Sequence, residues 1–288
     1  MPELKWDAKN FWVEQDFQTS TRLHLQHWIF THQLGYLLHP DIDQSEPLKI
    51  ADVACGNAAW ILDLQRAHPE HEYHGLDINP RIFPAAELLP KNVQLHELDA
   101  FADLPDEYKN AFDIVDIRTI YSAIIDNKVE PLLTNLLAML KPGGYLQWAE
   151  NDFHTLAVHT IQGGKAEALE TIVNIQKFFA VHQTKMSSDW LLNLPRTLEQ
   201  RRCKVLVEEH IKPFPSLARA WSDNNLSVFL GVISLLPEQE IPLPSVPGLP
   251  KTLSRKILAE LVMQGAKEAS SGAWVSMEQR VVVVQKAS

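Results

Sequence analysis

Residues 50–58, Ile50-Ala51-Asp52-Val53-Ala54-Cys55-Gly56-Asn57-Ala58, decide the fold of this 288-residue chain. An apolar run ends on an acidic residue and small residues, and a helical pattern opens at Asn57. Small residues at such a turn let the backbone approach a ligand closely. Twenty-five positions after Asp52 (77 − 52), a second apolar run ends in Leu76-Asp77-Ile78. Its carboxylate is placed to accept hydrogen bonds from a ribose diol at the mouth of the turn. Two such features in one crossover unit point to a nucleoside-containing cofactor.

Outward from this stretch, short apolar runs alternate with helical ones between Leu48 and Glu150: LKIADVA, NAAWILDLQRAH, EYHGLD, NVQLHEL, FDIVDIR, VEPLLTNLLAML and GGYLQWAE. That alternation predicts crossover units and a parallel sheet. Leu132, Leu133, Leu136, Leu137 and Leu140 form one apolar stripe, as a helix covering a sheet face requires. In the KPGG that follows, Pro142 cannot extend the helix and the paired glycines permit a tight reversal.

Upstream, Leu23, His27, Phe30, Leu34 and Leu37 recur at helical spacing within Glu14–Leu38, and Pro40–Pro47 reads as a linker. Downstream, helices are expected over Gly164–His182 and Ser187–Arg201, then a strand KVLVEEHIK. The proline-rich stretch Pro237–Pro250 reads as a surface loop. WVSMEQRVVVVQKA reads as a late strand, with Val281–Val284 buried on both faces.

A third feature is Glu97-Leu98-Asp99-Ala100-Phe101, where a carboxylate and an aromatic ring could hold an adenine. With FDIVDIR and LKPGGYLQWAE at their intervals, Leu48–Glu150 resembles the class I S-adenosylmethionine-dependent methyltransferases throughout. Arg22-Leu-His-Leu-Gln26-His27, Trp60 and LKPGGYLQ narrow the resemblance to fungal methyltransferases of secondary metabolism, which modify small natural products.

The resemblance implies an α/β fold: a Rossmann-like, seven-stranded, mostly parallel sheet with helices on both faces. A helical cap over 1–47 would precede a methyltransferase domain over 48–288, with a helical insertion at about 155–202 after the fifth strand. It further implies that Asp52, Ala54, Cys55 and Gly56 line the S-adenosylmethionine loop. Asp77 and Ile78 would take the ribose, Asp99, Ala100 and Phe101 the adenine, and Arg118 would lie near the methionine part.

Two positions depart from the family pattern: Ala54 and Ala58 stand where loop glycines are usual. A methyl group on residue 58 would crowd the methionyl part. It keeps open a fold repurposed for cyclisation or rearrangement, or a non-catalytic regulatory protein.

A general base is sought over the carboxyl ends of the strands. That selects Tyr121, Asp152, His154 and His182; His154 leads, since neutral imidazole suits proton removal near pH 7. Methyl transfer from an activated sulfonium proceeds largely by positioning, so an obvious base is not required.

Twelve histidines include His24 and His27 on one helix and His68, His71 and His74 around a turn, which reads as a solvated connection. No cysteine or carboxylate set completes a first coordination shell, so no metal is expected. Cys55, with no base tied to it by spacing, reads as a small buried filler.

The balance of 26 basic and 36 acidic residues gives a formal charge of −10, unsuited to nucleic acid or an anionic membrane. The two cysteines, Cys55 and Cys203, suggest a reducing compartment. With no signal-like or membrane-spanning run, the expectation is a cytoplasmic protein whose partner is a small-molecule substrate.

Overall fold

A computed structural model describes residues 17–182, 185, 187 and 189–288, so part of the expected N-terminal cap lies outside the described residues. The chain runs α1 (Phe17–Leu34), β1 (Lys49–Val53), α2 (Ala59–Ala67), β2 (Glu72–Asp77), β3 (Val93–Glu97), β4 (Phe112–Arg118), α3 (Glu130–Met139) and β5 (Leu140–Thr160). There follow α4 (Glu167–His182), α5 (Asp189–Leu192), α6 (Leu194–Gln200), β6 (Cys203–Ile211), α7 (Ala218–Ile233), β7 (Ile241–Pro242), β8 (Thr252–Leu253), α8 (Arg255–Ser270) and β9 (Ala273–Lys286).

Seven strands form one sheet in the order β3-β2-β1-β4-β5-β9-β6. The pairs from β3 through β5 are parallel, and β6 runs antiparallel to β9. The strand order reverses between β1 and β4, where Asp52 faces Asp116 in register. In an open α/β sheet the ligand crevice opens beyond the carboxyl ends at this point.

The described residues divide into two compact units. The sheet unit comprises Phe30–Asp152, residues 187 and 189–211, and Gln279–Ser288. The helical unit comprises 17–29, Phe153–Lys185 and Lys212–Glu278. The division does not follow the expected boundary at residue 47.

Alternation along the strands sends Ile50 and Ile114 to one face of the sheet unit, where they are buried with Trp60, Phe30, Leu38, Val281 and Val283. Val53 and Val115 go to the other, with Leu132, Leu133, Leu136, Trp148, Trp190 and Leu198. Helices thus cover both faces, as the leucine stripe predicts. Val281–Val284 are all buried, as expected of a strand covered on both sides.

The KPGG reading needs correction. Leu140 already pairs with Phe112, and Tyr145 is the next residue to pair, with Ile114. Residues 141–144 therefore bulge inside β5, with Gly143 at φ +79°, rather than forming a separate reversal. The strand also continues to Thr160, ten residues (160 − 150) beyond the expected end at Glu150. So the region at 155–202 begins as strand and becomes helical only at α4. β9 has 14 residues, and its outer part supports this extension within the helical unit. The Glu278 N–H donates to Thr155 Oγ1 at 2.8 Å, and the His159 ring meets Ser276 Oγ at 2.9 Å.

In the helical unit α8 packs on α4 and α7. Gly265 permits it, since a Cβ there would lie 3.1 Å from Leu169 and 3.3 Å from Leu226. The buried Glu268 carboxylate accepts the N–H groups of Ala168 and Leu169, satisfying the first turn of α4. The proline-rich stretch is loop apart from β7, which pairs antiparallel with β8.

Candidate active site

The loop joining β1 to α2 is set by backbone geometry at residues with small side chains. Ala54, Gly56 and Ala58 all take left-handed conformations, at φ 59°, 56° and 61°. That is the region where glycine is the unstrained choice, so the two alanines occupy glycine-type positions at a small conformational cost. Ala58 has no exposed surface. Its methyl group is covered by protein and does not face an open crevice, which corrects the expectation of crowding.

Asp77 ties this loop to β2. Its Oδ2 accepts the Gly56 N–H at 2.8 Å and its Oδ1 accepts the Asn79 N–H at 2.9 Å. Burial pushes its pKa up, while these two N–H groups pull it back. Each carboxylate oxygen retains a lone pair for a further donor. Cys55 is buried between the strands: a Cβ on Gly75 would fall 2.9 Å from its sulfur, and burial raises its pKa well above the ordinary thiol value. Such a thiol is a packing group rather than a nucleophile.

At the end of β3, Asp99 Oδ1 accepts the Phe101 N–H at 2.9 Å. Asn135 of α3 donates its amide to the carbonyls of Ala100 and Ala102, at 2.8 and 2.7 Å. This holds the loop from across the sheet unit. Asp52 and Asp77 thus lie within the last two residues of β1 and β2, and Ala54, Cys55, Gly56, Ile78, Asp99, Ala100 and Phe101 on the loops that follow three neighbouring parallel strands.

A buried charged group lies one strand over. Arg118 Nε is 3.5 Å from Asp116 Oδ2, and its guanidinium lies 5.4 Å from the centre of the Trp60 ring. Burial raises the pKa of Asp52 well above the carboxylate range, with the Asp116 charge adding to it and Arg118 opposing it. Burial likewise pushes Asp116 up to about 7, against the pull of Arg118 and of Gln147. Glu150, midway along β5, is fully buried and is pushed up to about 8 by that burial. It accepts the N–H groups of Ile120 at 2.8 Å, Tyr121 at 3.1 Å and Asn151 at 3.0 Å. Glu150 thereby holds the loop that carries Tyr121.

Asp116, Asn135, Gln147 and Glu150 escape a reading of the sequence. The signal available was a polar residue inside each of FDIVDIR, TNLLAML and YLQWAE, where a fully buried strand or helix face calls for apolar ones.

The candidate bases are not brought into one cluster by either unit. Tyr121 is half-buried in the sheet unit. His154 is an exposed residue of β5, and His182 ends α4 with Nδ1 bonded to the Phe178 carbonyl at 2.9 Å, its ring stacked on Phe178 at 4.3 Å; both belong to the helical unit. Asp152 is buried and accepts from Arg280 Nε at 2.7 Å, which marks it as an ion-pair residue.

The histidine turn is also corrected. His71 and His74 are buried, not solvated. His68, Glu70 and His71 gather ligand-type atoms within 4.8 Å. However, the Leu48 N–H donates to His71 Nδ1 at 3.2 Å, which leaves the ring proton on Nε2 and no lone pair there for a cation.

Residues 50–144 match the family described as "Methyltransferase domain". Among relatives of the chain, methyltransferase grgD of Penicillium sp is 33% identical over 152 residues, covering 49% of this chain and 52% of grgD. N-methyltransferase verN of Clonostachys rogersoniana is 28% identical over 150 residues, covering 51% and 52%. The chain therefore spans about half the length of the curated relatives it matches.

Solved methyltransferases share the fold. Phosphoethanolamine N-methyltransferase 2 of Haemonchus contortus superposes with a TM-score of 0.51 at 13% identity, covering 94% of this chain and 58% of that one. A Haloferax volcanii methyltransferase, solved with an activator protein, gives 0.51 at 14% identity, covering 96% and 99%. The segment matched by the family model holds β1 to β4, α3 and the loop residues described above. Among the described residues no helix is long and apolar enough to cross a membrane.

Proposed function

We propose that this chain binds S-adenosylmethionine over the loops at the carboxyl ends of β1, β2 and β3. It would transfer the methyl group to an O, N or S atom of a small natural product. The observation that carries the reading is Asp77: a strand-end carboxylate anchored by the Gly56 and Asn79 N–H groups, beside a loop that turns through three left-handed residues. An anchored carboxylate with spare lone pairs fits a ribose diol. The glycine-type turn keeps side chains out of the space above Gly56.

When bound, S-adenosylmethionine supplies a methyl group already activated by its sulfonium. The chain's own task is to orient the two reactants and exclude water. Asp77 fixes the ribose, Asp99 and Phe101 the adenine, and Arg118 the methionine end. Tyr121, His154 and His182 are the residues we assign to proton removal when the acceptor is neutral; the bond from His182 Nδ1 to the Phe178 carbonyl leaves its Nε2 as the basic atom. The buried methyl group of Ala58 speaks for methyl transfer over a fold repurposed for cyclisation or rearrangement.

The test is to titrate the protein with S-adenosylhomocysteine by calorimetry. Methyl-labelled S-adenosylmethionine is then supplied with fungal natural-product intermediates bearing free hydroxyl, amine, amide or thiol groups. Label entering a product in step with S-adenosylhomocysteine supports the reading. No binding of S-adenosylhomocysteine by the folded protein overturns it.

A further inference from the structure

Resting on that reading, we infer that Gln147 and Asp116 are positioning residues that aim Arg118 at the α-amino-acid end of the cofactor. Three adjacent parallel strands place Asp52, Asp116 and Gln147 side by side in register on one face, at the point where the strand order reverses. Asp116 and Gln147 are essentially without exposed surface. Buried polar side chains on a sheet face otherwise filled by isoleucine, valine and tryptophan carry a desolvation cost that apolar residues would avoid.

The bonds form one chain. The His39 N–H donates to Gln147 Oε1 at 2.7 Å. Gln147 Nε2 donates to Asp116 Oδ1 at 2.7 Å and to the Leu37 carbonyl at 2.9 Å. Trp60 Nε1 donates to the same Leu37 carbonyl at 3.2 Å. Asp116 Oδ2 lies 3.5 Å from Arg118 Nε, an ion-pair approach rather than a hydrogen bond, and the guanidinium lies over Trp60. Both walls of the arginine, the Asp116 carboxylate and the Trp60 ring, are therefore registered on the single carbonyl of Leu37 through Gln147 and the indole N–H.

A guanidinium flanked by a carboxyl group and an aromatic face is restricted in its orientations, which favours its capture of a ligand carboxylate. Arg118 supplies a cation, and the carboxyl groups of Asp116 and of Asp52, in register beside it, supply hydrogen-bonding oxygens. An α-amino acid, with an ammonium and a carboxylate on one carbon, is the ligand fragment that matches such a pair. The loop of residues 54–58, which runs from β1 to the helix carrying Trp60, adjoins it.

The experiment compares two ligands on the full chain by calorimetry. S-adenosylhomocysteine carries the amino-acid end, and 5′-methylthioadenosine lacks it. Gln147→Leu, and Asp116→Asn as a shape-preserving second variant, should each weaken S-adenosylhomocysteine by about tenfold, the scale of one hydrogen bond involving a charged group. Binding of 5′-methylthioadenosine should be unchanged. In an Arg118→Met background the Gln147→Leu effect on S-adenosylhomocysteine should vanish, because the relay then has nothing to aim. Equal losses on both ligands, unchanged S-adenosylhomocysteine affinity, or losses that add in the double variant would each overturn the inference. Failure of the unaltered protein to bind either ligand would instead overturn the functional reading on which it rests.

Discussion

The carboxyl ends of β2 and β3 and the interiors of β4 and β5 hold their polar groups in opposite ways. Asp77 and Asp99 bond the N–H two residues ahead, to Asn79 and Phe101, so their geometry is largely local. Asp116, Gln147 and Glu150 depend on distant partners: Gln147 reaches His39 across 108 positions of sequence and Glu150 reaches Ile120 across 30. The first arrangement is written into a short motif; the second exists only in the folded sheet unit. It follows that changes at Asp77 or Asp99 should act mainly on ligand binding, whereas changes at Asp116, Gln147 or Glu150 should also act on stability and its pH dependence.

The largest expected effect is at Glu150. A carboxyl whose pKa rises from the ordinary 4.5 to about 8 on folding binds a proton in the native state that the unfolded chain has released. Stability must then fall as pH rises from about 4.5 to 8, at up to about 1.4 kcal/mol per unit. Asp116, pushed up to about 7, adds to this over its own lower window, from about 4 to 7. Glu150→Gln removes one such group, so its stability should decline less steeply, by a total on the order of 4 kcal/mol less between pH 4.5 and 8. Urea unfolding at several pH values measures this, and parallel pH profiles for the two proteins would refute it.

Next comes Glu150→Ala at fixed pH 7, which leaves the N–H groups of Ile120, Tyr121 and Asn151 without their acceptor. Unfolding should be easier by about 3 kcal/mol. A loss below about 1 kcal/mol would show that this loop does not need its anchor.

At the local site, Asp77→Ala should weaken S-adenosylhomocysteine about ten- to a hundredfold, corresponding to roughly 1.5–3 kcal/mol, while leaving a folded protein. Calorimetry decides, and unchanged affinity would break the assignment of the ribose to this carboxylate. The smallest effects concern the loop alanines. Ala54→Gly relieves a left-handed residue and should raise stability by roughly 0.5 kcal/mol. Ala58→Gly relieves similar strain but removes a fully buried methyl group, worth about as much, and should be nearly neutral. Thermal unfolding separates the two, and a clear loss for Ala54→Gly would refute the account.

The order of strands and helices from Leu48 to Glu150, and the carboxylates at their ends, could be read from the chain itself. A strand covered on both faces must be apolar throughout, and a loop that approaches a ligand must be small. Both requirements act over a few consecutive residues. The same locality explains the late strand at Val281–Val284, whose residues carry their burial in their own composition.

Tertiary structure alone decided the rest. Whether β5 stops at Glu150 or runs to Thr160 depends on whether β9 lies alongside to pair with it, which no property of residues 151–160 reveals. Whether Ala58 crowds a ligand or is covered by protein depends on the direction of one Cβ bond at a left-handed residue. Whether a histidine turn is solvated or buried depends on what packs over it, as His71 shows through its bond to Leu48. The roles of Asp116, Gln147 and Glu150 belong to the same class. A buried polar side chain is tolerated only where a partner meets it, and these partners come from strands and loops far away in sequence.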